Sequence, residues 1–351
     1  SRTPCQGRSR NRGTRRGIEI AVEAKISGED RRWLAAAIAL AERGKGRTGN
    51  NPSVGCIIVK HGVVIGRGWT QPGGRPHAEA VALAQTGSKA VGATIYVSLE
   101  PCAHDSARGP ACADSLIAAK PARVVGALTD PDPRTAGKGF DRLEAAGISV
   151  ERDAMAAEAR AGLAGFVTRI TKGRPHVTLK LATSLDGCIA MADGSSRWIT
   201  GEAARAHAHL ERARCDAILV CAVTVRADAP KLDVRLPGLE ARSPRRIMLG
   251  SGDAPEGWEV IRTPGDVAAL DCNSLIVEGG AQTASAFLRA GLVDRLMIYR
   301  ATILIGGGKP CLGDIGLTDL AEAHGRWQLS DTRMLGKDRF EVYEAIPCSQ
   351  A

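Results

Sequence analysis

Aromatic side chains are scarce. Trp, Tyr and Phe together supply 3% of the chain, so any core must be assembled from Ala, Val, Leu and Ile, a composition suited to layered α/β packing. Cysteine is thin as well. Ten thiols scattered through 351 residues do not form the dense framework of a small secreted disulfide protein. No apolar run approaches the roughly 20 residues of a membrane-spanning helix. There is no internal repeat and no low-complexity tract, which excludes solenoid and fibrous architectures. Acidic groups are outnumbered by basic ones, 38 to 47, and the shortfall is greatest at the start. There Arg2, Arg8, Arg10, Arg12, Arg15, Arg16 and Lys25 meet only Glu19 and Glu23. The first 28 residues read as an unstructured basic extension. No aromatic interleaves with its arginines, so it lacks the stacking platform of a single-strand nucleic-acid binder. The stretch after the arginines is broken by Glu19, Glu23 and Lys25 and is no signal-peptide core. A cytoplasmic protein with no nucleic-acid partner and no membrane partner is expected.

What is present is enough for two domains of moderate size, each with its own core. Apolar residues at 44% and charged residues at 24% give the balance of a globular chain. From residue 30 to 43, Trp33, Leu34, Ala37, Ile38 and Ala41 recur at helical spacing. Two β-branched runs, 54–59 and 63–66, joined at His61-Gly62, predict a hairpin. Helix 77–85, strand 94–99, a cysteine-bearing loop, helix 113–119 and strand 123–128 follow. The pattern breaks at Thr171-Lys172-Gly173-Arg174-Pro175, and a strand signal restarts at His176. Beyond it come helix 202–212, strands 217–221, 246–249 and 274–277, helix 283–290 and strand 295–299. The expected partition is a tail over 1–28 and α/β domains over 29–171 and 172–351.

The strongest chemical signal is His77-Ala78-Glu79 followed by Pro101-Cys102 and Cys112. One imidazole and two thiolates are three zinc ligands, and three protein ligands with an open fourth position mark a catalytic rather than a structural site. Glu79, two residues beyond the first ligand at a helix start, is placed to take a proton from water and hand it to a leaving amine. Singly, the His-x-Glu pair fits a solvated helix start, and each cysteine fits a buried core thiol. Their order, helix then strand then Pro-Cys then Cys at a helix, is what distinguishes the set. His104 is a competing ligand, read instead as a group near the metal or substrate.

At this point the chain resembles the bifunctional bacterial deaminase/reductase family of riboflavin biosynthesis. Nine residues separate Cys102 from Cys112, like that family's long loop and unlike the Pro-Cys-x-x-Cys of nucleoside and transfer-RNA deaminases. Asn51-Pro52-Ser53-Val54-Gly55-Cys56 and Asp130-Pro131-Asp132-Pro133 with Ala136-Gly137-Lys138-Gly139 also match. So do Thr178-Leu179-Lys180, Ser196-Arg197-Trp198, Thr224-Val225, Asp228-Ala229-Pro230 and Val277-Glu278-Gly279-Gly280. The resemblance implies a cytidine-deaminase-like three-layer α/β/α domain followed by a dihydrofolate-reductase-like α/β domain. It implies Zn2+ and NADPH as cofactors and a phosphorylated pyrimidine as the small-molecule substrate. Asn51 would contact the pyrimidine, with the loop around Lys138 nearby. Ala182, Trp198, Thr224, Asp228, Ser251, Gly279 and Gly280 would line the NADPH site. Ser196, Arg212, Leu232, Arg235 and Glu278 would hold the substrate, the arginines by bidentate capture of its phosphate. Lys180 and Asp228 are the candidate proton donors of the second half. A homo-oligomer is compatible with the sequence, which specifies no subunit number.

The chain departs from the family pattern in places. The cysteine loop is one residue longer, leaving the register of Arg108 open, and Asn50 replaces a usual proline. Cys221-Ala222-Val223 stands where glycines are common, and Gly250 where aspartate is frequent. The competing readings are a deaminase with a degenerate, non-catalytic reductase domain, a deaminase acting on another base, and a non-catalytic zinc- and nucleotide-binding regulator.

Overall fold

The computed structural model describes residues 26–104 and 108–346. The basic extension read over 1–28 therefore lies outside the described residues up to position 25. In chain order the first half comprises α1 (Gly28–Ala41), β1 (Gly55–Lys60), β2 (Val63–Trp69), α2 (Ala78–Thr86), β3 (Thr94–Val97), α3 (Cys112–Ala119), β4 (Arg123–Gly126), α4 (Lys138–Ala145), β5 (Ser149–Glu151), α5 (Ala156–Gly162) and α6 (Ala164–Lys172). Its five strands order as β2-β1-β3-β4-β5, with the first three antiparallel and β3, β4 and β5 parallel. α1 begins where the Ser27 hydroxyl accepts from the Asp30 N–H, an N-cap with acidic residues in the first turn.

Two glycines in the sheet show why the helices lie where they do. Gly55 and Cys56 point to opposite faces, and Cys56 is paired with Gly68. A Cβ on Gly55 would lie 2.0 Å from the Ala37 carbonyl of α1, and one on Gly68 would lie 2.2 Å from the Ala78 carbonyl of α2. The two helices thus press against opposite faces, giving the expected three layers around a core that includes Leu34, Ile58, Ile95, Leu116 and Phe140. The Gly68 contact also fixes the first turn of α2, where His77 and Glu79 reside.

The second half runs β6 (His176–Thr183), β7 (Cys188–Ala190), α7 (Glu202–Arg212), β8 (Ala217–Cys221), α8 (Ala222–Asp228), β9 (Arg245–Leu249), β10 (Glu259–Ile261), β11 (Ser274–Val277), α9 (Ala281–Arg289), β12 (Arg295–Arg300), β13 (Lys309–Pro310), β14 (Trp327–Leu335) and β15 (Asp338–Ala345). Eight of these strands form one sheet, β10-β9-β8-β11-β6-β12-β15-β14, parallel as far as β12 and antiparallel beyond it. Alternation along the central strands feeds two separate cores. Ala217 and Leu219 join Leu275 and Phe287 on one face, while Ile218 and Val220 join Ile276 and Tyr299 on the other.

The long β14–β15 hairpin went unread in the sequence. Gln328, Leu329, Ser330, Thr332, Arg333 and Met334 are all exposed, so β14 lacks the one-sided apolar alternation that announces a strand. Strands 94–99 and 123–128 end two residues early, at Val97 and Gly126, where the chain leaves the ladder for the site loops.

Gly68→Ala forces a methyl against a backbone carbonyl that cannot swing aside. We expect a loss of about 1–3 kcal/mol, the range for overpacking a tight contact, read as a lowered thermal midpoint. An unchanged midpoint would show that α2 is free to shift.

Candidate active site

Two helices begin at one point. His77 is the N-cap residue of α2 with an extended backbone, and no capping hydrogen bond engages its side chain. Cys112 is the first residue of α3. Between them, Cys102 arrives from the turn after β3. The imidazole Nδ1 of His77 lies 3.2 Å from Cys112 Sγ and 3.7 Å from Cys102 Sγ. All three ligand atoms fall within 4.8 Å of one another. A tetrahedral zinc ion with bonds of about 2.0 Å to nitrogen and 2.3 Å to sulfur separates its ligands by roughly 3.5–4 Å, so the donor set fits in both chemistry and spacing. The Cys112 backbone N–H points at Cys102 Sγ, 3.3 Å away, and adds a helix N-terminal donor that favours thiolate. Cys102 is pulled well below the usual thiol range, first by its hydrogen bond with Cys112, whose own thiol that contact pushes up.

Glu79, 3% exposed, lines the same cavity. Burial raises its carboxyl above the ordinary value, the direction that suits a group required to carry a proton and release it. Asn50, Asn51, Asp130, Asp132, Arg134 and Phe166 complete much of the wall. His104 is also a wall residue, but among the described residues the ligand cluster is His77, Cys102 and Cys112. The His104 ring nitrogen lies 3.4 Å from the Thr135 hydroxyl instead. Lys138 turns back on its own loop and donates to the Pro133 carbonyl. Arg108 donates to the Gly73 carbonyl, while 105–107 lie outside the described residues.

Glu100 was missed in the sequence. Almost fully buried, it accepts from the backbone N–H groups of Asp130, Gly137, Gly139 and Phe140 at 2.8–3.3 Å. It thereby ties the 130–140 loop to the turn carrying Cys102. Its position immediately before Pro101-Cys102, closing an apolar strand, was the available signal. Asp130 is pushed up to about 7 by burial, with Asp132 and Glu100 adding repulsion.

In the second half, β6, β8, β9 and β11 are neighbours and parallel, so the residues at and just after their C-terminal ends gather at one edge of the sheet. That edge collects Ala182, Thr224, Ser251 and Gly279-Gly280. Gly280 is the N-cap of α9, and open space surrounds the position of its absent Cβ. A dinucleotide phosphate fits such an uncapped helix start. Gly279 has a packing reason to be glycine as well: a Cβ there would lie 2.5 Å from Thr283 Cβ. Ala222 and Gly250, both departures from the family pattern, face each other; a Cβ on Gly250 would meet that of Ala222 at 3.2 Å.

Beside this edge a cavity of about 260 Å³ brings together Lys180, Ala182, Ser196, Trp198, Arg212 and Arg235. Trp198 is exposed, with the Arg205 guanidinium over its ring at 4.8 Å. Leu232 is not a cavity wall. It is buried in the apolar cluster with Ala204 and Met248. Asp228 stands apart at the end of α8, 3.6 Å from Arg197. The Arg212 fork expected to take a phosphate bidentately is engaged by Glu278, at 2.7 and 2.9 Å. Lys180 Nζ approaches the same carboxylate at 3.5 Å. Burial alone would raise Glu278, but the two cations prevail and hold it at about 2.

Residues 27–128 match the cytidine and deoxycytidylate deaminase zinc-binding region, and residues 175–264 and 266–339 match the RibD C-terminal domain. Riboflavin biosynthesis protein RibD of Escherichia coli K12 is 40% identical over 88% of this chain and 98% of its own length. The chain belongs to the RibD family. The Mycobacterium tuberculosis H37Rv RibD is 41% identical over 87% of this chain and 94% of its own. Acinetobacter baumannii RibD superposes with a TM-score of 0.81 at 36% identity, covering 91% of this chain and 99% of that one. As a RibD protein the chain is a bifunctional enzyme: a zinc-binding deaminase domain of cytidine-deaminase-like fold precedes an NADPH-dependent reductase domain of dihydrofolate-reductase-like fold. Nothing in these matches marks the reductase half as degenerate.

Removing the Glu278 carboxylate strands two buried cations. Glu278→Ala is expected to cost about 3–5 kcal/mol, the range for breaking a buried ion pair, with NADPH oxidation lost. Because its folded pKa is depressed, the stability Glu278 contributes is present above about 4.5 and is lost as pH falls toward 2. Glu278→Ala should therefore flatten the acid limb of thermal midpoint against pH, and an unaltered limb would contradict the charge assignment.

Proposed function

We propose that the first domain deaminates 2,5-diamino-6-(5-phosphoribosylamino)pyrimidin-4(3H)-one to 5-amino-6-(5-phosphoribosylamino)uracil, and that the second reduces the ribosyl side chain of that product to ribityl. A Thermotoga maritima relative, 30% identical with a TM-score of 0.81, is titled a deaminase and reductase of this substrate pair, which supports the reading. The observation that carries it is the convergence of His77, Cys102 and Cys112 beside buried Glu79.

His77, Cys102 and Cys112 would hold the zinc ion, which when bound polarises water for nucleophilic attack. Glu79 takes a proton from the water that adds to the ring carbon bearing the 2-amino group. It then protonates the departing nitrogen, so that water and amine become ring carbonyl and ammonia. Asn51 orients the pyrimidine from the cavity wall. In the second domain Ala182, Trp198, Thr224, Ser251, Gly279 and Gly280 would hold NADPH, with Asp228 at the margin beside Arg197. The cofactor supplies the reducing electron pair. Ser196, Arg235 and the main chain at Leu232 bind substrate. Glu278 sets the positions of Arg212 and Lys180 around the reacting sugar carbon. Lys180 Nζ delivers a proton to the sugar's ring oxygen as its bond to the first carbon breaks, leaving an iminium carbon to accept the hydride.

The division between domains is kept in the 171–175 segment, and residues 26–28, which lead into and open α1, join the first domain instead of the basic extension read ahead of residue 29. We infer a cytoplasmic enzyme acting on a small molecule, without a nucleic-acid or membrane partner. No described helix is long and apolar enough to cross a membrane, and the described cysteines are free. β14 forms one edge of the large sheet and exposes Leu329 and Met334, which favours a homo-oligomer over a monomer.

Glu79→Gln keeps the shape and loses the proton carrier. Zinc content should remain, while ammonia release falls at least on the order of a hundredfold. Turnover equal to that of the parent enzyme would remove Glu79 from the mechanism.

A further inference from the structure

The loop from α1 to β1 belongs to the deaminase domain, yet several of its anchors belong to the reductase domain. Arg242 donates through Nη2 to the carbonyls of Arg43 and Lys45, at 2.7 and 3.3 Å, just past the end of α1. Gly46, at φ +71°, lies so close to the turn after α7 that a Cβ would come within 2.9 Å of the Cys215 carbonyl. Asn50 Nδ2 donates to Asp271 Oδ1 at 2.8 Å. The Asn273 carboxamide donates through Nδ2 to the carbonyls of Gly49 and Asn51, at 3.0 and 3.3 Å.

Within the loop, Thr48 closes a turn on itself, its hydroxyl donating to the Asn51 carbonyl and its own carbonyl accepting from the Asn51 N–H. Those bonds shape the turn but do not say where it sits. Within the deaminase domain the Gly73 N–H holds the Arg47 carbonyl and the Thr70 hydroxyl holds the Pro52 carbonyl, on either side of the turn. The Gly49 and Asn51 carbonyls at its centre, however, take the Asn273 carboxamide from across the domain boundary. The turn presents Asn50, Asn51 and Pro52 to the cavity holding His77 and Glu79. Asn273 is suited to this because its main chain is engaged elsewhere. Its N–H donates to Asp216 Oδ2 and its carbonyl accepts from the His176 N–H, both within the reductase domain. Only the side chain reaches over. The two carbonyls in front of it dictate that the amide nitrogen faces them.

We propose that Asn273 is a positioning residue for deamination: a reductase side chain sets the Gly49–Asn51 turn and through it the carboxamide that contacts the pyrimidine. This rests on the role proposed above for Asn51. The deaminase site is then complete only when the reductase domain is docked, a physical reason for the two activities to share a chain.

The test uses the full-length zinc enzyme with Asn273→Ala and the near-isosteric Asn273→Asp, which puts oxygen against both carbonyls. Ammonia release, NADPH oxidation with the deaminated intermediate, zinc content and thermal midpoint are measured together. In both variants the deaminase KM should rise on the order of ten- to a hundredfold, the scale on which misplacement by about 1 Å acts. Saturating kcat, zinc content and reductase turnover should stay near the parent values. An unchanged deaminase KM overturns the proposal, as does a parallel fall of both activities with the midpoint, which would mark a purely structural role. Asn51→Ala is run alongside. An unchanged KM there removes the reading of Asn51 together with this proposal, whereas a raised KM in Asn51→Ala with an unaffected Asn273→Ala removes this proposal alone.

Discussion

An imidazole and two sulfurs can share one ion only if the chain segments bearing them meet within a few ångström, and that requirement organises the deaminase half. His77 and Cys112 open two different helices, and Cys102 sits in the turn between them in sequence. Neither helix reaches the others unless it lies close on the sheet. The missing side chain of Gly68 lets α2 approach near enough for its first turn to face the turn after β3. Helix starts are useful here for a second reason: their N–H groups favour negative charge, and one of them is spent on the sulfur of Cys102. A buried carboxylate, Glu79, then stands beside the cluster in surroundings that favour its protonated form more than water does.

The reductase half solves an opposite electrostatic problem. Glu278 leaves the C-terminal end of β11 into the protein, where an isolated carboxylate would be costly. Arg212 from α7 and Lys180 from β6 meet it there, and the three form one unit at the wall of the cavity. Arg212, its fork occupied by that carboxylate, is held in one orientation, while Arg235 on the same cavity wall is far more exposed. The parallel strands deliver the remaining groups to the same edge through topology alone.

Both halves use as their fastener a carboxylate outside the set of residues that the motifs single out. Glu100 collects four backbone N–H groups and pins one wall of the first cavity. Asp294 accepts from Arg174, Lys172 and the Val177 N–H where the second domain begins. No local spacing marks such sets, because the partners, main-chain N–H groups for Glu100 and chiefly the Arg174 and Lys172 side chains for Asp294, lie far away in sequence.

Much of this was legible from the chain itself. Period-two and period-3.6 patterns located most core strands and helices, since burial on one or two faces leaves a mark in composition. The metal ligands and Glu79 were legible because each must be a particular residue type in a particular order. The exposed strand β14 was not, for want of an apolar face, and neither was Glu100. The packing reason for glycine at position 279 was not legible either, since the neighbour it makes room for, Thr283, comes close only once α9 is folded back. Residue identity along the chain thus determined the donor set, the α/β class and the family resemblance. The tertiary structure alone decided which charges face one another, as with Arg212 and Glu278, and which domain holds the 49–51 turn. Those outcomes depend on distances across tens to hundreds of residues, which local sequence pattern does not encode.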